Sequence, residues 1–542
     1  MVKYFEFECG CKWPIIKESE NPELFPELDV DMEHLPDCNL VWKLIGRGDT
    51  KGVFQLESRL GQTWAKRLIP ESIEHMSALV ALIRPGCLNV KDDDGISMTE
   101  HYCRRKNKEE LSQVIHEELD PILAPTEQSI LYQEQCMRLG AVIAGFDLKQ
   151  VDRLRKAIGK KSLKEMVEVK KEFLEGAKLK NTIPYELAET VWGWIEKSGR
   201  YLFNKSHSVS YGMMGYDTAY LKSHFPVQFF TSWLYFSKDK LDPDREKIDL
   251  IEDAKKFGIK VFTPRIEFQS NNFHTDGINV YFGLKDIKGI GDSSVKKFLA
   301  AIQESSKEIK SMTWIDWLYD ITDKSFATMQ KMIMAGCFDS LKIKRQKMLA
   351  DIQLVGSMTN KEVKWLKDNA RTEDFIGGLR LLSREKPLGG CANEKRRSAI
   401  KSQIQMLENP PTDQNDNIPW VIWAEEQAFG LSVTYSRVEA FTLEDANCTC
   451  RDYMAGKSGM ILMGVEVKDF RVIITKKGKA AGKEMAFVAV SDQTGFLDGV
   501  ICFPETWENY KQFFVAGNTI LIRGERDRNG VSLIVQSVSQ LT

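Results

Sequence analysis

The residues of this sequence with the greatest chemical reach are cations and aromatics set close together. Arg153, Arg155, Lys156, Lys160 and Lys161 crowd the run 151–161. On a helix, separations of three and seven residues return to one face, which sets Arg153, Lys156 and Lys160 in a row. Such a row neutralises a polyphosphate without covalent chemistry, and it equally suits a solvated helix face. A second set lies at 201–211. Lys205, Ser206, His207 and Ser208 supply donors, and Tyr201, Phe203 and Tyr211 flank them with rings on which a base can stack. A polar loop capping a helix would use the same residues. In the third set, Gly283 to Asp292, Gly289 and Gly291 open a helical stretch, Ser293 to Ile302. Backbone N–H groups exposed by such a hairpin hold phosphate oxygens without reading sequence, and Lys285 and Lys288 add charge. This is a helix-hairpin-helix pattern, and Lys331 to Asp339 suits the second half of a paired unit.

Other chemistry is missing from the sequence. Gly478, Gly482 and Lys483 are followed by Glu484 rather than Ser or Thr, so they do not form a phosphate-cradling loop. No nucleophile elbow or zinc-protease helix appears. Cys9/Cys11 and Cys448/Cys450 are Cys-x-Cys pairs, without the two-residue separation usual in structural zinc sites. Free core thiols are expected for the 11 cysteines.

At about 150 residues per domain, the 542 residues suggest three or four domains. Apolar residues are 43% and charged residues 28%, an ordinary globular balance. With 75 Lys and Arg against 77 Asp and Glu, the net charge of −2 steers nothing to nucleic acid, so any such binding must be local. No apolar run reaches the roughly 18 residues of a membrane span, and the first residues do not form a signal peptide. A cytoplasmic protein is expected.

Helical spacing marks 128–144, 163–177 and 185–198, and 278–282 is a strand candidate. From 341 to 454 the periodicity weakens; Gly377-Gly378, Gly389-Gly390 and 409–417 look like loops. After Gly459 short strands follow, at 460–467, 471–475, 485–491, 499–503, 519–523 and 532–538. With a helical stretch at 505–514, they suit a small closed barrel of the OB type. Phe470, Arg471, Lys476, Lys477, Phe487, Phe503, Trp507 and Tyr510 offer stacking and phosphate contacts for single-stranded DNA there, with Phe487 and Phe503 better suited to the core.

Together these residues resemble the bacterial C-family replicative DNA polymerases, the alpha subunit of DNA polymerase III. The carrying segments are Gly46 to Ser58, Ala81 to Gly86, Tyr132 to Gln135, the helix ending Gly159-Lys160-Lys161, Phe203 to Ser208 and Ala219 to Pro226. Their order is that of the family's fingers, and Gly283 to Asp292 matches its tandem hairpin region. The resemblance implies a multidomain, mainly α protein (fingers and helix-hairpin-helix) ending in an all-β OB-fold barrel. The implied divisions are an N-terminal segment 1–40 near the palm–fingers junction, fingers 41–270, hairpins 271–345, a helical or linker region 346–455 and the barrel 456–542.

The resemblance also implies roles. Arg155, Lys156, Lys160 and Lys161 would hold the triphosphate of an incoming dNTP, with Lys205 and His207 near the nucleotide. Two departures stand out: the family has two arginines where this chain has Arg155-Lys156, and a glycine at Leu202. A lysine keeps charge but loses the bidentate fork. The Mg²⁺ pair of nucleotidyl transfer needs clustered carboxylates, which the family carries on its palm. The expectation is therefore a split enzyme, with a separate palm-containing chain as partner and primer–template DNA as substrate. Asp29 and Asp31, in Pro26-Glu27-Leu28-Asp29-Val30-Asp31-Met32, are the alternative metal carboxylates. The rival class is a non-catalytic DNA-binding or clamp-associated accessory protein. Gln403-Ile404-Gln405-Met406-Leu407 loosely resembles a sliding-clamp peptide, and it equally suits the end of an amphipathic helix.

Overall fold

The computed structural model describes residues 3–6, 12–15 and 37–541, apart from 90, 93, 161–162, 200, 306, 411–414, 476–479 and 528–531. Asp29 and Asp31, Cys9 and Cys11, Lys161, Lys476 and Lys477 lie outside the described residues, as does the side chain of Lys160. The chain divides into two compact units, Met1–Phe229 and Phe230–Thr542. Among the described residues no helix is long and apolar enough to cross a membrane.

The first unit opens with an antiparallel pair, β1 (Lys3–Glu6) and β2 (Lys12–Ile15). Among the described residues eleven α-helices follow: α1 (Asn39–Gly46), α2 (Arg59–Leu68), α3 (Ile73–Leu82), α4 (Pro85–Asn89), α5 (Met98–Lys106), α6 (Asp120–Leu123), α7 (Gln133–Ala144), α8 (Leu148–Lys160), α9 (Leu163–Lys180), α10 (Tyr185–Ser198) and α11 (Lys205–His224). Their starts follow local chemistry. Ser58, Ser72, Ser97 and Asn204 each accept a hydrogen bond from a first-turn N–H, which satisfies a donor the helix cannot. Leu139, Ile143, Leu154, Phe173 and Trp192 form one closed core for α7 to α10. The long α11 is pinned to α1 by Tyr216, whose ring centroid lies 4.6 Å from that of Trp42 and whose hydroxyl accepts from the Cys38 N–H at 2.8 Å. The buried Lys222 ammonium donates to the Asp49 and Lys51 carbonyls at 2.7 Å each, fastening the loop after α1 to the same helix.

In the second unit α12 (Pro226–Phe236), which begins four residues before it, and α13 (Pro243–Lys256) lead to a small sheet of β3 (Val261–Phe262), β4 (His274–Thr275) and β5 (Val280–Tyr281). The helices α14 (Asp292–Glu304), α15 (Trp314–Asp316) and α16 (Thr322–Met334) come next. Further helices occupy the weakly periodic region: α17 (Arg345–Gly356), α18 (Asn360–Asn369), α19 (Phe375–Leu382), α20 (Glu394–Glu408) and α21 (Ile418–Phe429). Gly377-Gly378 therefore belongs to a helix and not to a loop. Asp374 caps it by accepting from the Gly377 N–H at 2.6 Å, and at Gly378 a Cβ would sit 2.9 Å from the Tyr319 hydroxyl, so close packing rather than a turn requires the glycine. Gln403 to Leu407 lies within α20 and Ile404 is buried, which fits the amphipathic helix end and not an extended peptide.

After α22 (Cys450–Met454) a closed five-stranded barrel forms in the order β10-β8-β7-β6-β9. Its strands are β6 (Met460–Ile474), β7 (Glu484–Asp492), β8 (Gly495–Cys502), β9 (Thr519–Arg526) and β10 (Leu533–Gln540), and α23 (Pro504–Tyr510) follows β8. The two strands expected at 460–467 and 471–475 are one. A register shift between Val467 and Asp469 absorbs the polar interruption without ending the strand. Val465, Val488, Val500, Ile522 and Val535 fill the interior. Cys448 and Cys450 are buried free thiols, and burial raises both pKa values.

Candidate nucleotide and nucleic-acid interface

In the first unit the start of α11 is built across a long sequence separation. Tyr132 and Phe203 form a parallel bridge: the Gln133 N–H donates to the Phe203 carbonyl at 2.9 Å, and the Phe203 N–H donates to the Leu131 carbonyl at 3.0 Å. Gln135 stiffens the bridge by accepting from the Leu131 and Tyr132 N–H groups at 2.8 and 2.9 Å. Glu134 then takes both the Asn204 side-chain amide and the Lys205 N–H, each at 3.0 Å. Asn204 in turn accepts from the His207 N–H at 2.8 Å.

An aromatic column runs from this point along α11. The Arg84 guanidinium stands 3.8 Å above the Phe203 ring and donates to the Tyr201 carbonyl at 2.8 Å. Phe203 is 5.3 Å from His207, His207 is 4.0 Å from Tyr211, and Tyr211 is 5.1 Å from Phe54. Lys205 and His207 are exposed, and the Lys205 ammonium lies 5.8 Å from the Tyr132 ring. Arg84 and Glu134 do not stand out by type or spacing, because their partners lie far away in sequence.

Two expected donors are spent internally. Ser208 is buried and donates to the Ser77 carbonyl at 2.5 Å, and Ser206 donates to Asn204 at 2.6 Å. Leu202, where the resemblance leads to a glycine, is buried in the α7–α10 core.

The basic run of α8 is helical as its spacing predicts, but its row is divided. Arg153 reaches across to Glu168 and Glu172 of α9 at 2.6 Å each. Arg155 and Lys156 share Asp152 at 2.8 and 2.7 Å, and these two cations, Lys156 first, hold the Asp152 carboxyl below its usual range. Such exposed pairs are weak and exchange readily for a better anion.

In the second unit the hairpin before α14 is a tight turn. The Ile290 N–H donates to the Ile287 carbonyl at 3.0 Å, and Gly289 has φ +76°, a conformation that side-chain-bearing residues rarely adopt. Lys285 pairs with Asp292, and Lys288 with Asp244 at 3.1 Å. The turn is held from behind: the Lys288 N–H donates to the Ala428 carbonyl at 2.7 Å, and Lys331 donates to the Gly289 carbonyl at 2.8 Å. Asp286 accepts from the Gly283 N–H at 2.7 Å, and burial pushes its carboxyl up to about 6. The second glycine turn follows α16. There the buried Arg345 donates to the Met334 carbonyl at 3.2 Å and pairs with Asp339 at 2.6 Å and with the buried Glu425 at 3.2 Å.

On the barrel, alternation turns Arg471, Phe487 and Ile501 outward in one cross-strand row, with the guanidinium 5.7 Å from the Phe487 ring. Phe503 does not join the core; it is 46% exposed, because Cys502 before it points inward. Trp507 is the reverse, buried against Phe514 in the barrel core and withdrawn from any strand. Phe470, 37% exposed, remains at the surface.

Comparison with known proteins decides the family. The model of the bacterial DNA polymerase III alpha subunit finger domain matches residues 15–181, and a helix-hairpin-helix motif matches 258–348. The DNA polymerase III subunit alpha of Aquifex aeolicus is 30% identical over 525 residues, which span 94% of this chain and 40% of the relative. The chain belongs to the DNA polymerase III alpha family. The Escherichia coli K12 and Thermus aquaticus alpha subunits are 28% and 29% identical, over 92% and 91% of this chain. The chain spans about 40% of the length of these alpha-subunit relatives.

The metal of nucleotidyl transfer finds no matching set in the described residues, where no three His, Cys, Asp or Glu side chains are grouped to hold an ion.

Proposed function

We propose that this chain serves DNA-templated DNA synthesis by holding the incoming dNTP and the primer–template, while the Mg²⁺ ions that run the transfer are held by palm carboxylates on another chain. One observation carries the reading: Lys205 and His207 stand exposed at the capped start of α11, beside the Arg84–Phe203–His207–Tyr211 column. A triphosphate meets cations and helix-start dipoles there, and a base meets rings. Arg155, Lys156, Lys160 and Lys161 would take the outer phosphates, with Asp152 displaced. In the second unit Gly289, Gly291, Lys285 and Lys288 would hold duplex phosphates, and Arg471, Lys476 and Lys477 the single-stranded template. A sliding-clamp contact at Gln403–Leu407 would require α20 to release Ile404 from the core, so it has no part in this reading.

The test uses the purified chain with and without a palm-containing polymerase chain. Alone it binds primer–template in a salt-sensitive way without extending it, and extension appears when the palm chain is added. Lys205→Glu should weaken dNTP binding by about tenfold or more, the loss of one charge-assisted phosphate contact. Extension by the chain alone would refute the divided arrangement. Unchanged dNTP binding in Lys205→Glu and in the Lys160→Glu/Lys161→Glu pair would favour a DNA-binding accessory protein.

A further inference from the structure

The two halves of the hairpin pair in the second unit differ at the atoms that would meet DNA. In the first half Gly289 and Gly291 are exposed, and α14 begins directly after them. Gly291 stands at the N-cap of that 13-residue helix and brings no side chain to its first-turn N–H groups. Those donors have no partner within the helix. The fold does not require a glycine at 291: its φ of −107° suits any residue, and an added Cβ would meet no atom within 4 Å. This helix start is open to an anion from outside.

The second half is closed. Gly336 is buried, and Cys337 and Phe338 are fully so. The N–H groups of this turn are consumed inside it: Gly336 donates to the Ile333 carbonyl and Cys337 to the Met332 carbonyl at 3.0 Å each, and Asp339 donates to the Gly336 carbonyl at 3.1 Å. The Ile266 N–H takes the Cys337 carbonyl at 3.1 Å, and the buried Arg345 guanidinium packs where a Cβ of residue 336 would stand. The next helix start, that of α17, already holds an anion. One oxygen of the Asp416 carboxylate accepts from the Arg345 N–H at 2.6 Å and the other from the Gln346 N–H at 3.0 Å. The Gln346 side chain donates to the Asn415 carbonyl at 2.5 Å, which ties down the segment carrying that carboxylate. A carboxylate seated in this way satisfies the donors that a phosphate would need.

We infer that the hairpin pair holds DNA by one strand, through the first hairpin alone, and that the second hairpin is a brace whose phosphate position is filled by Asp416. The inference rests on the reading of the first hairpin as a duplex-phosphate contact and narrows it. One turn with one open helix start meets neighbouring phosphates of a single strand, and the opposite strand passes without a partner in this pair. Lys342 and Lys344, exposed just before α17, are the cations through which the second half would otherwise reach a phosphate.

The test gives the first hairpin the feature that closes the second. Gly291→Asp places a carboxylate at the α14 N-cap, where aspartate is favoured, so the unfolding midpoint is kept. Binding of the full chain is followed by anisotropy on primer–template duplexes in which a short run of neutral methylphosphonates is moved along one strand or the other. The expected result is that Gly291→Asp weakens binding to the all-phosphate duplex by about tenfold, the loss of a charge-assisted phosphate contact. That penalty disappears for runs at one place on one strand and persists for every run on the other. Lys342→Gln/Lys344→Gln leaves the affinity and its salt slope unchanged. Where Gly291→Asp disturbs the fold, Lys288→Gln repeats the measurement, because the Lys288 N–H keeps its bond to Ala428. A penalty relieved by runs on both strands overturns the one-strand grip while the first hairpin remains a DNA contact. So does a salt slope shallower by about two in Lys342→Gln/Lys344→Gln. If neither Gly291→Asp nor Lys288→Gln costs affinity, the hairpin reading and this inference fall together.

Discussion

Glu134 joins two helix starts that the chain separates by 70 residues. One carboxylate oxygen accepts from the Asn204 amide and the other from the Lys205 N–H, so both donors need an acceptor opposite them. Glu134→Gln presents its own NH₂ to one of them and loses that bond, while Glu134→Ala loses both. Urea unfolding should show Glu134→Ala destabilised by about 1–2 kcal/mol, the scale of a lost helix cap, with Glu134→Gln in between. If Lys205 and His207 hold a nucleotide, the same variants weaken dNTP binding without removing a cation. Here the limits of the sequence are physical. Lys205 and His207 stand out by type in a short run, whereas Glu134 and Arg84 act through partners that only the folded chain brings near.

At the scale of elements, the segment after α5 depends on a single imidazole. His101 lies between Asp92 at 2.6 Å and Glu110 at 2.7 Å, and Glu110 also takes Arg105 at 2.7 Å. Burial disfavours the imidazolium, but the two carboxylates outweigh it and hold its pKa above the ordinary histidine value. A raised folded pKa contributes stability that is full below the unfolded value, about 6.5, and is lost as pH rises through the folded one. Amide exchange of residues 107–116, corrected for its intrinsic pH dependence, should therefore quicken as pH rises above about 6.5. In His101→Gln the step should vanish. The helices at 163–177 and 185–198 were legible because their apolar period is unbroken, as were the barrel strands from their alternation. Gly377-Gly378 misled because a glycine required by the neighbouring Tyr319 looks the same in sequence as one required by a turn. The interruption at Lys468-Asp469 likewise looked like a strand end because a bulge leaves no compositional mark.

For the molecule as a whole, a net charge of −2 supplies no long-range attraction to DNA. Affinity must then come from a few phosphate contacts, each releasing counterions, and the logarithm of the binding constant should fall with the logarithm of salt at about −0.9 per phosphate contacted. Lys288 is the informative position. Its backbone N–H is already committed to Ala428, so a side-chain change leaves the hairpin's support in place. Its side chain is 52% exposed and pairs with Asp244, an exposed bridge worth little to stability. Lys288→Gln should therefore keep the unfolding midpoint, weaken primer–template binding about equally for any sequence, and make the salt slope shallower by about one. A slope equal to that of the unaltered chain, measured by anisotropy between about 50 and 200 mM salt, would show that the duplex phosphates lie elsewhere. In that case the hairpin, tethered from behind by Lys331 and Ala428, would serve to brace the second unit's helices rather than to grip DNA.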